Sequence, residues 1–368
     1  MRTFPMQSES KRLVLIVSLL TIIGLIAVYS SSSVFALEMH GAAFYFVKKQ
    51  LVGIMIGIAG IIGINFFSLN GIKKISPLFF IVALLLTALT LIPGLTHHIH
   101  GSARWLRISG FSFQPSELLK IGLVVYLAFC VDKKHKKYSL LYDYLPILSI
   151  LLLPSLILLK QPDFGLTVTL SITTIAILFL SQFQLRHLLG TLFSIVPIAA
   201  LLIIMKPYRL KRVLVFLNPW HDPHGSGFQI IQSLIAIGSG GMWGVGLSQS
   251  KQKFYYLPMQ HTDFIFSIIA EESGFIGSAI LLTLFALLLY YGFKIANQLH
   301  DQFSRLVVQG YILLINLQAI LNIAVASGLL PTKGLGLPFI SYGNSALVCH
   351  LWMIGIILRL VKVAGNTR

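Results

Sequence analysis

The sequence predicts an all-α polytopic membrane protein of about ten transmembrane helices, both termini cytoplasmic, with a large extracytoplasmic loop between helices 7 and 8. Three observations carry this. Hydrophobic residues make up 56% of the 368 and charged residues only 11%, against about 25% charged in a soluble domain. Mean hydropathy is +0.85. The apolar runs are too long and too many for a barrel, whose strands alternate in short segments. Helices are then the way to satisfy the backbone in lipid.

A helix needs about 20 apolar residues to cross the bilayer core. That rule places spans at 12–34, 51–68, 76–95, 116–131, 144–159, 164–181, 187–205, 264–291, 305–329 and 342–363. The first continues as a full span and reads as a retained helix rather than a cleaved signal. Gln161-Pro162-Asp163 splits the run 144–181 into two, as a tight hairpin turn would. A single domain covers 1–368, and 206–263 is its long outer loop. No soluble domain, repeat or low-complexity tract stands out.

Orientation follows from Lys and Arg in short loops. With cytoplasmic termini, the inner side holds Arg2, Lys11, Arg12, Lys73, Lys74, Lys133, Lys134, Lys136, Lys137, Arg186, Lys294, Arg305, Arg359, Lys362 and Arg368. The outer short loops hold Lys48, Lys49, Arg104, Arg107, Lys160 and Lys333, so fifteen stand against six. The net charge of +17 is spread along such loops, which suits topology and anionic lipid rather than nucleic acid. Cys130 and Cys349 both fall within spans and read as packing residues, with no disulfide or metal spacing.

The unusual sequence gathers on the outer face, in 96–117, 206–263 and 330–345. Their Gly, Pro, aromatic and charged content suits loops lining a cavity near the membrane surface. His261-Thr262-Asp263 stands where a polar, aromatic loop enters the eighth span. Asp263 is a helix cap on one reading. Capping does not call for the Lys251, Lys253, Tyr255, Tyr256 and His261 that precede it; a carboxylate at the mouth of a cavity does. Glu271 and Glu272 lie about 12–14 Å further along the helix. By helical phase Glu271 is about 80° from Asp263 and Glu272 about 180° away, so Glu271 is expected in the cavity. Packing or pairing with a cation is the alternative for both.

Gln114-Pro115-Ser116-Glu117 reads as a helix start, with Glu117 and Lys120 on one face. They either neutralise each other or, with Arg104 and Arg107, present cations to an anionic ligand. Tyr208-Arg209-Leu210-Lys211-Arg212 suits a pyrophosphate or lipid head groups equally. His97, His98, His100, His221 and His224 make no zinc spacing. The glycines of 238–246 follow no strand and make no nucleotide fingerprint; they let an irregular segment approach other helices closely.

These segments together resemble the SEDS family (shape, elongation, division and sporulation) of bacterial membrane proteins, essentially end to end. The resemblance is carried by Gly101-Ser102-Ala103-Arg104-Trp105-Leu106, Gln114-Pro115-Ser116-Glu117, Pro162-Asp163-Phe164-Gly165 and Gly225-Ser226-Gly227-Phe228-Gln229. It continues through Gln232-Ser233 to Gly246, His261-Thr262-Asp263-Phe264, Ala270-Glu271-Glu272 and Pro338-Phe339-Ile340-Ser341-Tyr342-Gly343. Lys251 to Pro258 and Leu330-Pro331-Thr332-Lys333-Gly334 look like the division branch rather than the elongation branch. Asn344, Ala346 and Met259-Gln260 depart from the family pattern.

The resemblance implies a peptidoglycan glycosyltransferase for septal wall synthesis that polymerises lipid II on the outer face of the inner membrane, with inversion, releasing undecaprenyl pyrophosphate. It implies Asp263 as the base that takes a proton from the acceptor's 4-hydroxyl. Around the substrate it sets Arg104, Glu117, Lys120, Arg209, Arg212, His261 and Glu271, the cations stabilising the leaving group. Lipid II, a class B penicillin-binding protein transpeptidase and other divisome membrane proteins are the implied partners; nucleic acid is not. No cofactor follows, and a divalent cation is left open. The rival functions are a lipid II flippase, an elongation-type polymerase and a non-catalytic scaffold for a transpeptidase.

Overall fold

The protein is described from a computed structural model, over residues 5–93, 96–99, 102–108, 111–133, 144–253, 257–258 and 260–366. Arg2, Lys134, Lys136, Lys137, Arg368, Tyr255, Tyr256, Met259 and His100 lie outside the described residues, as do the side chains of His97, His98 and Arg107.

A helix stands at each of the ten expected positions. They are α1 (Pro5–His40), α2 (Tyr45–Ile64), α3 (Leu69–Leu89), α4 (Pro115–Asp132), α5 (Leu145–Lys160), α6 (Phe164–Leu180) and α7 (Leu185–Ile204). After the long connection come α10 (Ile265–Asn297), α11 (Gln302–Ala326) and α12 (Asn344–Asn366). Among the described residues seven helices (α1, α2, α3, α7, α10, α11 and α12) are long and apolar enough to cross a membrane; the chain is a multi-pass membrane protein. The turn at Gln161–Asp163 divides α5 from α6, and Asp163 caps α6 by accepting from the Leu166 amide at 3.1 Å.

Three expectations change. The segment 96–117 contains an antiparallel meander, β1 (Thr96–Ile99), β2 (Ser102–Ile108) and β3 (Phe111–Phe113), paired in that order. The connection 206–263 is not all loop. It holds α8 (Pro207–Leu217), a 3-10 turn at Pro219–His221 and α9 (Phe228–Ser239). These helices are too short to register as spans. Most consequential, 330–343 lines the cavity as expected but lies deeper than a loop near the membrane surface. It re-enters the bundle, so that a Cβ on Gly24, near the middle of α1, would lie inside the Phe339 carbonyl and 2.7 Å from Ile340 Cα. Irregular backbone at membrane depth is tolerated where it is buried in protein or lines a cavity, and this segment lines the cavity described below.

The core is arranged around α11, which is buried over most of its length and packs on α4, α6, α9, α10 and α12. Helix α2 packs against α12, α3 against α4 and α1 against α10. At the end opposite the meander, Lys73 reaches Asp132 and Asp301 at 2.9 Å each and ties α3 to α4 and α11. Lys294 meets Glu9 at 2.8 Å and ties α10 to α1.

Helix α10 is broken at Gly274, whose φ of 64° and ψ of −161° are non-helical. The freed groups are matched by the glycine-rich segment after α9. Val245 and Gly246 amides donate to the Glu271 and Glu272 carbonyls at 3.0 and 3.1 Å. In return, the Phe275 and Ile276 amides donate to Gly241 and Met242 at 2.9 and 3.2 Å. Gly274 carries a φ that only glycine adopts freely, and its missing Cβ leaves room for the Met242 carbonyl.

Candidate active site

At the meander end a cavity of about 1980 Å³ opens between α2, α4, α12, α8, the entry to α10 and the re-entrant segment. Asp263 lines it, two residues before α10 begins, and is half-buried. Burial pushes its carboxyl up to about 6; Arg104 and Arg212 oppose the rise and Asp163 adds to it. The chain is not yet helical at Asp263, which is why it faces the cavity rather than packing.

The cations around Asp263 come from segments far apart in sequence. Arg104, on β2, donates through Nη2 to the Pro162 carbonyl at 2.7 Å, and its Nε lies 3.4 Å from Asp163 Oδ2. Gly334 gives a measure of closeness: a Cβ there would be 3.6 Å from both Arg104 Nη1 and Asp263 Oδ2. Arg212, on α8, donates to the Thr332 carbonyl at 3.2 Å. Lys211 and Lys333 also line the cavity. Burial pulls the Lys333 ammonium below its usual value, with Asp163 opposing. Asp163 and Lys333 were not singled out as site residues by their sequence context. The proline-aspartate turn and the Thr332-Lys333 pair marked family and branch, and only the fold brings them to the site.

Three carboxylates border the cavity, in different states. Asp163 is committed to Arg104 and the α6 cap, and Glu117 lies 2.6 Å from Lys120. Among the described residues Asp263 alone of the three has no ion-pair partner. Its backbone is held firmly: Asn322 Nδ2 donates to its carbonyl at 2.8 Å.

His261 lines the cavity inside an aromatic box, its ring 5.8 Å from Phe35, 4.8 Å from Phe46 and 5.9 Å from Tyr342. Burial lowers its pKa to about 4, so the ring is neutral near pH 7. It shapes the wall as an uncharged group.

Three expected substrate contacts are relocated. Glu271 does not line the cavity: it accepts from the Ser250 hydroxyl and, at 2.9 Å, from the Lys251 amide. Projecting helical phase from Asp263 fails because α10 starts only at Ile265. Glu272 likewise pairs with Lys253 at 3.2 Å and accepts from Ser30, so both acids anchor the 246–253 segment. Arg209 is buried against α6, its guanidinium 5.2 Å from the Phe164 ring centroid and bonded to Tyr208 and the Leu202 carbonyl. Lys120 is fully buried, one turn below Glu117, and donates to Gln318 Oε1 at 3.0 Å rather than to the cavity. Arg104, Glu117, Arg212, His261 and Asp263 do converge on one cavity. Among the described residues no group of three or more His, Cys, Asp or Glu is placed to hold a metal ion.

A cation-lined cavity with one carboxylate that has no ion-pair partner among the described residues, walled in part by Val52 and Ile56 of α2 and Val215 of α8, is suited to an anionic group on an apolar anchor. Residues 10–365 match the family model described as cell cycle protein, FtsW/RodA/SpoVE. The chain is 42% identical over 349 residues to a probable peptidoglycan glycosyltransferase FtsW of Trichlorobacter lovleyi, covering 95% of this chain and 92% of that one. It superposes on a chain of a peptidoglycan synthase complex that coordinates polymerization and crosslinking, with a TM-score of 0.80, 31% identity and coverage of 96% and 97%. The rod-shape-determining protein RodA of Thermus thermophilus matches with a TM-score of 0.73 and 27% identity, over 96% of each chain. The chain belongs to the FtsW/RodA/SpoVE family of cell cycle proteins.

Proposed function

We infer that this protein is a peptidoglycan glycosyltransferase of the division type, polymerising lipid II at the cavity around Asp263. The observation that carries the reading is the half-buried Asp263 carboxylate facing cations contributed by β2 and α8. The meander end then faces the periplasm, both termini lie in the cytoplasm, and the chain works at the division septum.

The chemistry follows from the geometry. An acceptor hydroxyl directed at Asp263 loses its proton to the carboxylate as its oxygen attacks the donor's anomeric carbon. The anomeric C–O bond to the prenyl pyrophosphate breaks on the opposite face, inverting the centre. Negative charge grows on the departing pyrophosphate, where Arg104, Arg212, Lys211 and Lys333 stabilise it. The proton ends on Asp263 and is lost to water. A single displacement needs one free base, and Asp163 and Glu117 are held by cations.

The test is glycan polymerisation from purified lipid II by reconstituted full-length protein. Asp263→Asn keeps shape and membrane level and abolishes the polymer. A variant that still polymerises at the wild-type rate would remove the base. Wild-type protein that moves lipid II between leaflets without extending a chain would make it a flippase.

A further inference from the structure

Three consecutive backbone carbonyls leading into α10 are each held from across the bundle. The Tyr342 amide donates to His261 O at 2.9 Å. The Ser341 hydroxyl donates to Thr262 O at 2.5 Å. Asn322, on α11, donates to Asp263 O at 2.8 Å. The same Asn322 amide nitrogen donates to the Leu335 carbonyl at 2.7 Å, so both of its N–H groups are used. One side chain thus ties the loop bearing the base to the re-entrant segment.

Gln318 lies one turn away on the same face of α11. Its Nε2 donates to the Gly336 carbonyl at 2.9 Å, and its Oε1 accepts from Lys120 at 3.0 Å. Lys120 in turn meets Glu117 at 2.6 Å. A continuous polar chain therefore runs from Glu117 on α4, through Lys120, Gln318 and the 335–336 backbone, to Asn322 and the backbone of Asp263. Asn322 and Gln318 are 2% and 3% exposed.

Amides inside a span are costly unless bonded, and a leucine would pack α11 without that cost. Asn316 on the same helix shows the alternative: its amide merely returns to the Ile312 carbonyl of its own turn, at 2.9 Å. Gln318 and Asn322 instead serve carbonyls that no helix satisfies, in the two segments that meet at the site.

We propose that Asn322, with Gln318 beside it, is a positioning residue for the glycosyl transfer: it sets the direction of the Asp263 carboxylate by holding its backbone against the re-entrant segment. Glu117 and Lys120 act on the base through this chain, not by touching substrate together. The inference rests on Asp263 being the base. Asn322 touches neither substrate nor the reacting atoms; it governs where the proton acceptor sits.

The experiment is steady-state polymerisation of lipid II by the full chain in proteoliposomes, with membrane level measured in parallel. Asn322→Leu keeps the branched shape and the number of side-chain heavy atoms and removes both donors. It is expected to lower kcat about a hundred-fold while KM stays within about two-fold, the signature of misplaced chemistry rather than lost binding. Asn322→Ser, which keeps one donor, recovers part of kcat. Asn316→Leu keeps both kcat and level. Wild-type kcat in Asn322→Leu beside an inactive Asp263→Asn overturns the positioning role and leaves the base assignment standing. A loss of kcat matched by an equal loss of folded protein, or a rise in KM alone, also overturns it. If Asp263→Asn polymerises normally, the base assignment fails first and this inference with it.

Discussion

At the scale of single residues, the site is governed by how much water a carboxylate keeps. An ordinary aspartate ionises near 4, and burial lifts Asp263 to about 6 against the pull of Arg104 and Arg212. A base must be ionised to work, so with Asp263 in the proposed role activity is expected to be full above that value and to fall as pH drops through it. The acid limb of the kcat/KM profile is expected near pH 6. Arg212 lowers the Asp263 pKa, so Arg212→Ala is expected to move the limb upward, by a modest amount because the side chain is exposed and its field screened. A limb that stayed near 4 in the wild type, or moved down in the variant, would contradict the electrostatics. His261 behaves oppositely to a catalytic imidazole: with a pKa of about 4 it holds no charge across this range. The presence of an acid, a histidine and two basic runs was legible at this scale. Which of the cations face the acid was not, because Arg104 and Arg209 look equally available in sequence, and only the packing of Arg209 on Phe164 removes it.

At the scale of elements, hydropathy found the long helices because a span is a local property, about 20 apolar residues in a row. It missed α8 and α9, which are 11 and 12 residues long, and the β1–β3 meander, whose strands are 4, 7 and 3 residues. It placed 330–345 at the lining of a cavity, where the segment does lie, but did not reveal its depth, since nothing local distinguishes a loop that dips from one that does not. The glycines of 238–246 were read as permitting close approach, and the interlock with α10 shows the approach they permit. Gly274 is its tightest point. Gly274→Ala is expected to destabilise the fold by about 1–3 kcal/mol, the cost of a side chain at positive φ. Its Cβ would also press on the Met242 carbonyl, 2.7 Å away. Gly63→Ala, on α2 where a Cβ meets nothing within 4 Å, should be neutral or mildly stabilising. Thermal unfolding in detergent separates the two; equal midpoints would mean that the interlock carries no stability.

At the scale of the whole molecule, the bundle offers a complete cavity, yet its end-to-end match is to one chain of a synthase complex. We expect a class B penicillin-binding protein transpeptidase to bind within the membrane and raise polymer yield from lipid II when co-reconstituted. Yield unchanged by a cognate transpeptidase would make the protein self-sufficient. The sequence by itself determined that the chain crosses a membrane many times, where its long helices lie, and that its chemistry-bearing residues gather at one end. Those are matters of composition and local period, which the solvent enforces residue by residue. Only the tertiary structure decided that Arg104, Arg212, Lys333 and Asp163 surround Asp263, that Glu271 and Lys120 are turned inward, and that Asn322 holds the Asp263 backbone. Those depend on distances between residues far apart along the chain, and such distances are set by how the helices pack.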